Sequence, residues 1–546
     1  MHLEGIPQLF DVVVYGATSA AVSAAIQSAR LGRSVALVSP DEHIGGIQVE
    51  GLGATDIDNQ AEVFNSPTVG GLALEFHRRI SKYYGRVEHL DRCVKEGIKD
   101  ADVWRFESRV AEQVIKTWLS EFPQIMIIKG PLDVNKPVIR DDSRLSAIRL
   151  NDGTIVAGQT FVEASYEGDL LAAAGITTTH GREARSRYGE SLAGVRDKTT
   201  YTQLDVPVDP YVVPGDESSG LIYGISPEPY GRAGDGDKHL AAFSYRLPVT
   251  DRKENQLPIY KPAGYDPAHY ELHRRYVKAG GKLYTPRKRL PGDKTDLIGS
   301  EAPLATDLLG MNDGWATGSR EERHGILDET ALFTKGLLYF FANDESLPVK
   351  FRDEWSRFGY CLDEFPDNNH FPRMLYIRDA RRMVSDYVIT EHTASLDNGE
   401  EPVDDPVAIA YWPTDTHCVR RILRDGQVHN EGFIFKDGHR WRPFGIAYRA
   451  LVPRLSEADN IISATCPSSS HVGYGKQTLP DGRAVRLEHQ FHAIGQACAF
   501  ACDIALRASI PLQQVPYSQL RERMLQHGMV LDVSKVAGPN FAEPRL

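Results

Sequence analysis

The sequence predicts an α/β fold in which three distant segments build one parallel sheet and an α+β unit is inserted between them. An apolar run at 12–15, a small-residue segment at 22–30 and a second apolar run at 34–39 are typical of a buried strand–helix–strand unit. A strand, a turn and a small-residue helix are predicted again at 160–172 and at 460–506. The residues between these two, from 181 onward, are rich in Pro, Gly and aromatic residues and lack this alternation.

These patterns divide the chain into four parts. Residues 1–180 are the first part of a discontinuous domain, and residues 441–510 are its second part. Residues 181–440 are the inserted substrate or cap domain, and residues 511–546 are a C-terminal tail.

The turn after the first strand has the composition of a diphosphate-binding loop. It contains Gly16, Ala17, Thr18, Ser19, Ala20 and Ala21, so the pattern G-x-G-x-x-G becomes G-x-T-x-x-A. Backbone N–H groups at a helix N-terminus, together with the helix dipole, bind anions. The pattern predicts dinucleotide contacts there, although an ordinary strand–helix–strand unit would also fit it. Where an acidic residue commonly binds a ribose hydroxyl, the sequence has Ser39 and Pro40.

A glycine-rich loop follows the second strand, and it favours a flavin over a nicotinamide. Its candidate contacts are His43, Gly45, Gly46, Gly51 and Gly53. A flavin enzyme needs bare backbone here, because the chain must lie against the pyrophosphate and the isoalloxazine ring. The alternative is a surface loop whose glycines only mark turns. His43 is also a candidate for a covalent link to the flavin, or it only fixes the turn.

The remaining elements follow from spacing and turn composition. Helices are predicted over 72–83, 106–119, 270–279, 321–341, 486–506 and 520–527. Strands are predicted over 125–128, 132–134, 147–150, 154–156, 160–164, 243–250 and 460–464, with a hairpin turn at 151–153. The helix over 486–506 has small residues along it, and we expect it to return to the first sheet.

Composition excludes several classes of partner. The net charge is −12 and no basic stripe with interleaved aromatics is visible, so nucleic acid is not expected. The sequence contains no apolar run of 18 residues, so no membrane span is predicted. The N-terminus lacks the pattern of a secretory signal. The six cysteines form no C-x-x-C pair, which favours a reducing, cytoplasmic compartment, and Cys498 and Cys502 are expected to pack in the core. The C-terminal Pro-Arg-Leu is a weak peroxisomal alternative. No metal-ligand spacing is evident.

Several stretches together resemble the FAD-dependent oxidoreductase family of the glutathione-reductase type, in its xanthan-lyase-like branch. The resemblance lies in YGATSAA, HIGGIQVEGLGATD, VEASYEGDLLAAAG, GREARSRYGESLAG, SYRLPVT, FPRMLYIRDARRMVSDYVIT, DTHCVRR, YRALVPR, SSSHVGYG and RLEHQFHAIGQACAFA. It implies a Rossmann-like FAD-binding domain, bound FAD and redox chemistry. Thr18 matches the first turn of the branch, whereas Ala21 and Ser39 depart from its pattern, and the segment 476–485 is longer than expected.

The resemblance implies FAD contacts at the first turn, the diglycine, Gly168, Asp169 and the start of the final helix. The remaining predicted cofactor contacts are Val134, Ala164, Ser165 and Gly495.

Histidines and arginines are the candidates for the chemistry. His471, with Tyr474 three residues later, suits a base because imidazole titrates near neutrality, although it could also cap a loop. His417 is next, with Asp415 to orient it, although a structural Asp–His pair fits equally. Arginines also offer two-point contacts to an acidic substrate; the candidates are Arg373, Arg378, Arg381, Arg382, Arg486 and Arg246. The alternative for the cluster over 373–382 is a helix face neutralised by Asp379 and Asp386.

The leading hypothesis is an FAD enzyme that oxidises or dehydrogenates a small organic substrate by hydride transfer to flavin N5, with a side-chain base. One alternative is a non-redox lyase or isomerase that holds FAD structurally or transiently. Another is a binding module that has lost its cofactor. The substrate, the electron acceptor and the oligomeric state are left open.

Overall fold

A seven-stranded sheet with parallel strands at its centre organises the computed structural model. The structure describes residues 8–59, 64–394, 403–411, 415–435, 443–475 and 485–536. The strand order is β3-β2-β1-β6-β5-β4, and β20 also pairs with β6. β1 pairs in parallel with β2 and β6, and β2 pairs in parallel with β3. The structure is therefore a mixed α/β fold.

The helices and strands alternate in the first part of the chain and again near its end. The strands of the large sheet are β1 Leu9–Tyr15, β2 Val35–Ser39, β3 Ile125–Lys129, β4 Val138–Asp141, β5 Arg144–Arg149, β6 Ile155–Glu163 and β20 Ile461–Ser463. The helices up to residue 188 are α1 Ser19–Arg30, α2 Gly71–Tyr83, α3 Val87–Glu96, α4 Ser108–Ser120, α5 Asp169–Ala173 and α6 Arg185–Tyr188. Later helices are α7 Glu271–Lys278, α8 Arg320–Asn343, α9 Val349–Trp355, α10 Glu391–Ala394, α11 His471–Gly475, α12 Glu488–Ala508, α13 Tyr517–Gln526 and α14 Val533–Val536.

The middle of the chain forms antiparallel sheets. Five strands pair in the order β10-β11-β8-β12-β9; they are β8 Val249–Thr250, β9 Gln256–Pro258, β10 Lys288–Leu290, β11 Lys294–Thr295 and β12 Gly359–Cys361. The other strands form two-stranded pairs; they are β7 Thr178–Thr179 with β13 Arg382–Met383, β14 Pro406–Ala410 with β19 Phe444–Ala447, β15 Asp415–Thr416 with β18 Ile434–Phe435, and β16 Arg420–Arg424 with β17 Gln427–Glu431.

β6 joins sequence-distant segments. Its first residues pair antiparallel with β5, and its last three residues pair in parallel with β20, about 300 residues later. β1 shows why the sheet is buried on both faces. Val12 and Val14 pack into the core under α1, whereas Val13 and Tyr15 pack into a second core on the other face. A continuous apolar strand is required when both faces are covered.

α1 lies between the sheet and α12. All of its residues from Ser19 to Ala29 are buried. A side chain on Gly495 of α12 would place its Cβ 2.2 Å from the carbonyl oxygen of Ala20, so only glycine allows the two helices to approach this closely. The predicted cofactor contact Gly495 therefore lies at this helix crossing.

Several sequence predictions differ from the structure. The predicted strand 132–134 is only an isolated bridge between Leu132 and Leu150. The two strands predicted at 154–156 and 160–164 are one strand, β6. Of the strand predicted over 243–250, only its last two residues form a strand, β8. The preceding residues pair with other segments only through isolated bridges at Ser244 and Leu247. The sequence did not predict α3, because this helix buries only Leu90 and Cys93 and its apolar periodicity is therefore weak.

Membrane-spanning character is absent from the described helices, since none is both long and apolar enough to cross a bilayer. The six cysteines all lie in described segments, where they are buried and unbridged. Cys498 and Cys502 belong to the main core, as predicted.

Candidate active site

The N-terminal tip of α1 is built from the predicted diphosphate loop. Gly16 has φ of +134°, and a Cβ there would lie 2.1 Å from the carbonyl oxygen of Ala164, so the chain turns tightly against the end of β6. The Thr18 hydroxyl donates to the Ala164 carbonyl at 2.7 Å and accepts the backbone N–H of Ala21 at 3.3 Å. Thr18 is thus the N-cap of α1.

The tip of α1 presents buried backbone donors. Ala17, Ser19 and Ala20 are at most 2% exposed, and the described residues provide no acceptor for the N–H groups of Ser19 and Ala20. Unsatisfied N–H groups at a buried helix N-terminus fit an anionic ligand. The residues present therefore fit the diphosphate of a dinucleotide.

The glycine-rich loop packs closely on this tip. Gly45 donates its N–H to the carbonyl of Ala17 at 2.6 Å. A Cβ on Gly46 would meet the hydroxyl of Tyr166 at 2.3 Å and Cα of Thr18 at 3.1 Å. Gly51 and Gly53 approach backbone carbonyls in the same way. Close contact between chain segments is therefore enough to explain why glycine occupies these four positions. A bound cofactor would be a further reason for glycine there.

Glu488, at the start of α12, meets the same tip. Its Oε2 accepts the Ser19 hydroxyl at 2.5 Å, and its Oε1 accepts the Tyr166 hydroxyl at 2.7 Å. The side chain is 7% exposed. Burial raises the pKa of Glu488 to about 7, and the two hydroxyl hydrogen bonds offset only part of that shift. Sequence reasoning missed this residue, although a charged residue opening a small-residue helix is a visible signal.

The turn after β6 carries the predicted contacts Ala164, Ser165, Gly168 and Asp169. The Ser165 hydroxyl accepts the N–H of Gly168 at 3.1 Å. Asp169 is paired with Arg323 at 2.7 and 2.8 Å and with Arg381 at 2.6 Å. The predicted cofactor carboxylate is therefore already neutralised by protein.

At the end of β2 the Ser39 hydroxyl donates to the carbonyl of Asp41 at 2.6 Å, and Pro40 is half-buried. Asp41 itself is exposed, and desolvation by the surrounding protein raises its pKa to about 6. Val134, another predicted cofactor contact, is 85% exposed.

Both ring nitrogens of His43 are occupied. Nδ1 contacts Glu112, and Nε2 lies 2.8 Å from Asp367. The hydrogen bond with Glu112 raises the pKa of His43. Asp367 also contacts Arg373, whose Nε lies 2.8 Å from Glu50. His43 and Arg373 thus belong to one charged cluster.

His471 lines a narrow, partly open cleft with a cavity volume of about 20 Å³. Four arginines line the same cleft: Arg182, Arg196, Arg378 and Arg486. All four are at most 6% exposed. Asp379 is the one acidic side chain among its lining residues in the described part of the chain. The polar lining of the cleft is therefore rich in guanidinium groups, although Arg182 and Arg378 are paired with carboxylates outside the lining.

The imidazole of His471 is held by Glu183. Nδ1 lies 2.8 Å from Glu183 Oε2, and the same oxygen accepts the backbone N–H of His471 at 2.8 Å. Burial lowers the pKa of His471 to about 4, although the carboxylate opposes the shift. Burial also works to raise the pKa of Glu183, but Arg382 and His471 outweigh it and hold that pKa well below its usual range.

Tyr376 connects this cleft to a second narrow one, whose cavity volume is also about 20 Å³. Arg486 donates to the Tyr376 hydroxyl at 3.0 Å, and the guanidinium of Arg378 lies 4.9 Å from the Tyr376 ring centre. The second cleft is lined by Gln48, Asp56, His77, Tyr376, Glu488 and His489. Nδ1 of His77 and Nε2 of His489 are buried and lack a hydrogen-bond partner among the described residues. Such atoms fit a polar ligand beside the tip of α1.

Other predicted residues have different surroundings. His417 Nδ1 lies 2.8 Å from Asp307, so Asp307 orients it; the side chain of Asp415 is outside the described residues. The Tyr474 hydroxyl donates to the carbonyl of Thr465 at 3.0 Å.

The alternative interpretation, that the basic cluster over 373–382 lies on a helix face, is wrong, because that segment is irregular up to β13. The expected neutralisation of Arg382 by Asp379 does occur, at 2.6 Å, and Asp386 instead pairs with Arg454. Arg246 forms a buried ion pair with Asp296. The longer segment 476–484 and the C-terminal tripeptide lie outside the described residues.

A family model described as FAD dependent oxidoreductase matches residues 11–524. No curated protein matches the sequence. Solved structures that are similar include L-proline dehydrogenase from P. horikoshii, at 14% identity and TM-score 0.23 over 33% of this chain and 59% of that one. L-amino acid deaminase from Proteus vulgaris matches at 16% identity and TM-score 0.23, over 34% and 55%. p-Nitrophenol 4-monooxygenase from Pseudomonas putida DLL-E4 matches at 11% identity and TM-score 0.22, over 33% and 47%. This chain thus spans between about half and three-fifths of the lengths of these three proteins.

Proposed function

Because this chain belongs to the FAD dependent oxidoreductase family, we propose that it oxidises or dehydrogenates a small anionic organic molecule bound in the cleft at His471. The protein is an FAD-dependent oxidoreductase, and FAD is its cofactor. When bound, FAD supplies a hydride acceptor at N5. The nature of the substrate and the step taken by the protein are our proposal.

The tip of α1 and the start of α12 would hold FAD. The N–H groups of Ser19 and Ala20 suit its diphosphate. The second cleft, between Tyr376 and His489, offers polar atoms for the rest of the cofactor. We further propose a glutathione-reductase-type domain made of residues 1–180 and 441–510, with 181–440 as the substrate domain and 511–546 as a tail. The pairing of β6 with the distant β20 supports this division.

The arginine lining of the cleft is the observation that carries the substrate class. Guanidinium groups form two parallel hydrogen bonds with a carboxylate, which gives both orientation and affinity. Arg182 is already paired with Glu431 and Asp237, so it forms part of the wall. We assign Arg486, which lines the cleft and contacts Tyr376, to the anionic group of the substrate.

His471 is the proposed base. A pKa of about 4 keeps its imidazole neutral near pH 7 and able to accept a proton from the substrate. Glu183 fixes the ring and stabilises the imidazolium that forms, in the way a carboxylate orients a catalytic histidine. The proposal involves a small-molecule partner, and neither nucleic acid nor a membrane.

The test uses purified protein loaded with FAD under anaerobic conditions. Small hydroxy, amino and aliphatic carboxylic acids are offered, each beside its neutral amide or methyl ester. We expect one or more acids to bleach the flavin absorption and the matched neutral compound to bleach it at least about tenfold more slowly, a difference of about 1.4 kcal/mol.

Equal rates for acid and ester would contradict the anionic substrate class. A yellow protein that no compound bleaches, but that converts one without net oxidation, would favour the lyase or isomerase alternative.

A further inference from the structure

We propose that Glu488 sets the direction of the Ser19 hydroxyl at the FAD diphosphate, so that FAD binds tightly only when Glu488 carries a proton. The proposal concerns cofactor uptake and holds for any substrate. It makes Glu488 a positioning residue that acts through Ser19.

The geometry brings the acid and the diphosphate donors to one place. Ser19 is the first residue of α1, beside the backbone N–H groups that fit the diphosphate. Its hydroxyl lies 2.5 Å from Glu488 Oε2, and the other carboxylate oxygen is 2.7 Å from the Tyr166 hydroxyl. Tyr166 is itself fixed, because it accepts the N–H of Ile47 at 3.1 Å. Among the described residues, the side-chain hydrogen-bond partners of this buried acid are therefore hydroxyl groups and not cations.

Protonation reverses the hydrogen bond between Ser19 and Glu488. An ionised carboxylate can only accept, so the single Ser19 proton must point at Glu488 and away from the diphosphate. A protonated acid donates to Ser19, which then turns its own proton toward a phosphate oxygen. The neutral acid also removes a negative charge beside a dianion in a poorly solvated site.

Few other groups near Glu488 change charge close to neutral pH. On α12, burial lowers the pKa of His489 to about 4 and that of His492 to about 3. Burial also lowers the pKa of His77, on α2, well below its usual value. Burial raises the pKa values of Tyr166 and Tyr376. Arg486, just before α12, stays cationic, and Asp56 lines the same cleft.

The direction of the pH effect follows. The acid has a pKa of about 7 before FAD binds. Below that pH the proton is already in place, so the dissociation constant of FAD is constant. Above it, binding must take up one proton, and the constant rises toward about tenfold per pH unit. The FAD diphosphate keeps its two negative charges over this range.

The experiment measures the FAD dissociation constant of the apoprotein by flavin fluorescence from about pH 6 to about pH 9. For the wild type, the dissociation constant is expected to be constant below about pH 7 and to rise toward about tenfold per pH unit above it. In Glu488→Gln the amide donates to Ser19 at every pH, so the constant should stay within about twofold over the range. Glu364→Gln is the matched control, since Glu364 is a buried acid with a pKa of about 7 that bonds Lys294 instead of the α1 tip. It should keep the wild-type slope.

A flat wild-type curve, or a Glu488→Gln curve with the wild-type slope, would overturn the proposal. Should Glu488→Gln fail to fold, calorimetry of wild type in two buffers of different ionisation enthalpy decides. The expected result is uptake of about one proton per FAD near pH 8 and none near pH 6. No uptake near pH 8 would overturn the proposal. Neither readout depends on turnover, so a wrong substrate class leaves the result interpretable.

Discussion

The Nδ1 atom of His471 lies 2.8 Å from Oε2 of Glu183, and the same oxygen accepts the backbone N–H of His471. One carboxylate therefore fixes both the ring and the first turn of α11. The residues are 288 positions apart in sequence. The contact joins the segment after β7 to the segment after β20, and it sets the imidazole against the arginine-lined cleft.

Replacing His471 by Gln should lower the rate of anaerobic flavin reduction by an acid substrate about 10²–10⁴-fold, because the proton acceptor is lost. FAD content should stay at the wild-type level. His324→Gln is the control, since His324 is exposed and bonds only the Arg320 carbonyl in the described structure. Intact reduction by the His471 variant would reject the base assignment.

The same histidine determines an acid limb in the pH profile. A base must be deprotonated, so kcat/KM should be constant near neutral pH and fall as pH decreases through about 4. Glu183→Gln removes the anion that holds the pKa of His471 up, so the limb should move to lower pH. A limb that moves to higher pH, or does not move, would show that Glu183 does not act on the base.

Arg486→Lys should raise KM for the acid substrate by about tenfold or more, because an ammonium cannot reproduce the two-point contact of guanidinium. The positive charge is retained, so FAD content is expected to be unchanged. Arg78→Lys, an exposed arginine paired with Asp91, serves as the control. If the two variants show the same KM, Arg486 does not bind the substrate anion.

Gly16→Ala should destabilise the apoprotein by about 3 kcal/mol or more, because strained backbone adds to a steric clash. The new Cβ would lie 2.1 Å from the Ala164 carbonyl oxygen. Gly32→Ala also has a positive φ, of +79°, but no atom lies within 4 Å, so it should cost only about 1–2 kcal/mol. Thermal unfolding of the two variants measures the difference. Equal losses would show that the close approach at Gly16 is not the cause.

His43 should not form a covalent link to the flavin. Nε2 pairs with Asp367 at 2.8 Å and Nδ1 contacts Glu112, so a bond to either nitrogen would break an ion pair. Acid precipitation of the yellow protein should therefore release all FAD into the supernatant. Flavin that stays with the pellet would contradict this, and its loss in His43→Asn would identify the link.

The first strand–helix–strand unit could be predicted well because its signals are local. Continuous valines in β1 and small residues in α1 are sufficient to define both elements. The predicted helix began at residue 22 instead of Ser19, since the turn motif and the first helical turn share residues. Thr18 is both the N-cap of α1 and part of the phosphate-binding pattern, so the two signals lie in the same short segment.

Residues that act through distant partners could not be predicted in the same way. Arg378 and Arg382 have a helical spacing, yet each is buried and bonds carboxylates from other segments, Asp307 and Glu183. His417 was assigned a neighbour in sequence, whereas its partner is Asp307. Glu183 gave no local signal of its role. Glu488 was visible as a charged residue at the start of a small-residue helix, but its partners Ser19 and Tyr166 come from distant segments that only the folded chain brings together.

The shared edge of β6 has a consequence for biosynthesis. Its C-terminal half pairs with β1 on one side, but it gains its second neighbour only when Ile461 to Ser463 have left the ribosome, after most of the polypeptide is made. Until then an apolar strand presents open hydrogen-bonding groups to the cell, a known route to aggregation. Nascent chains that stall before that point should depend on chaperones, and expression of such truncations should give inclusion bodies.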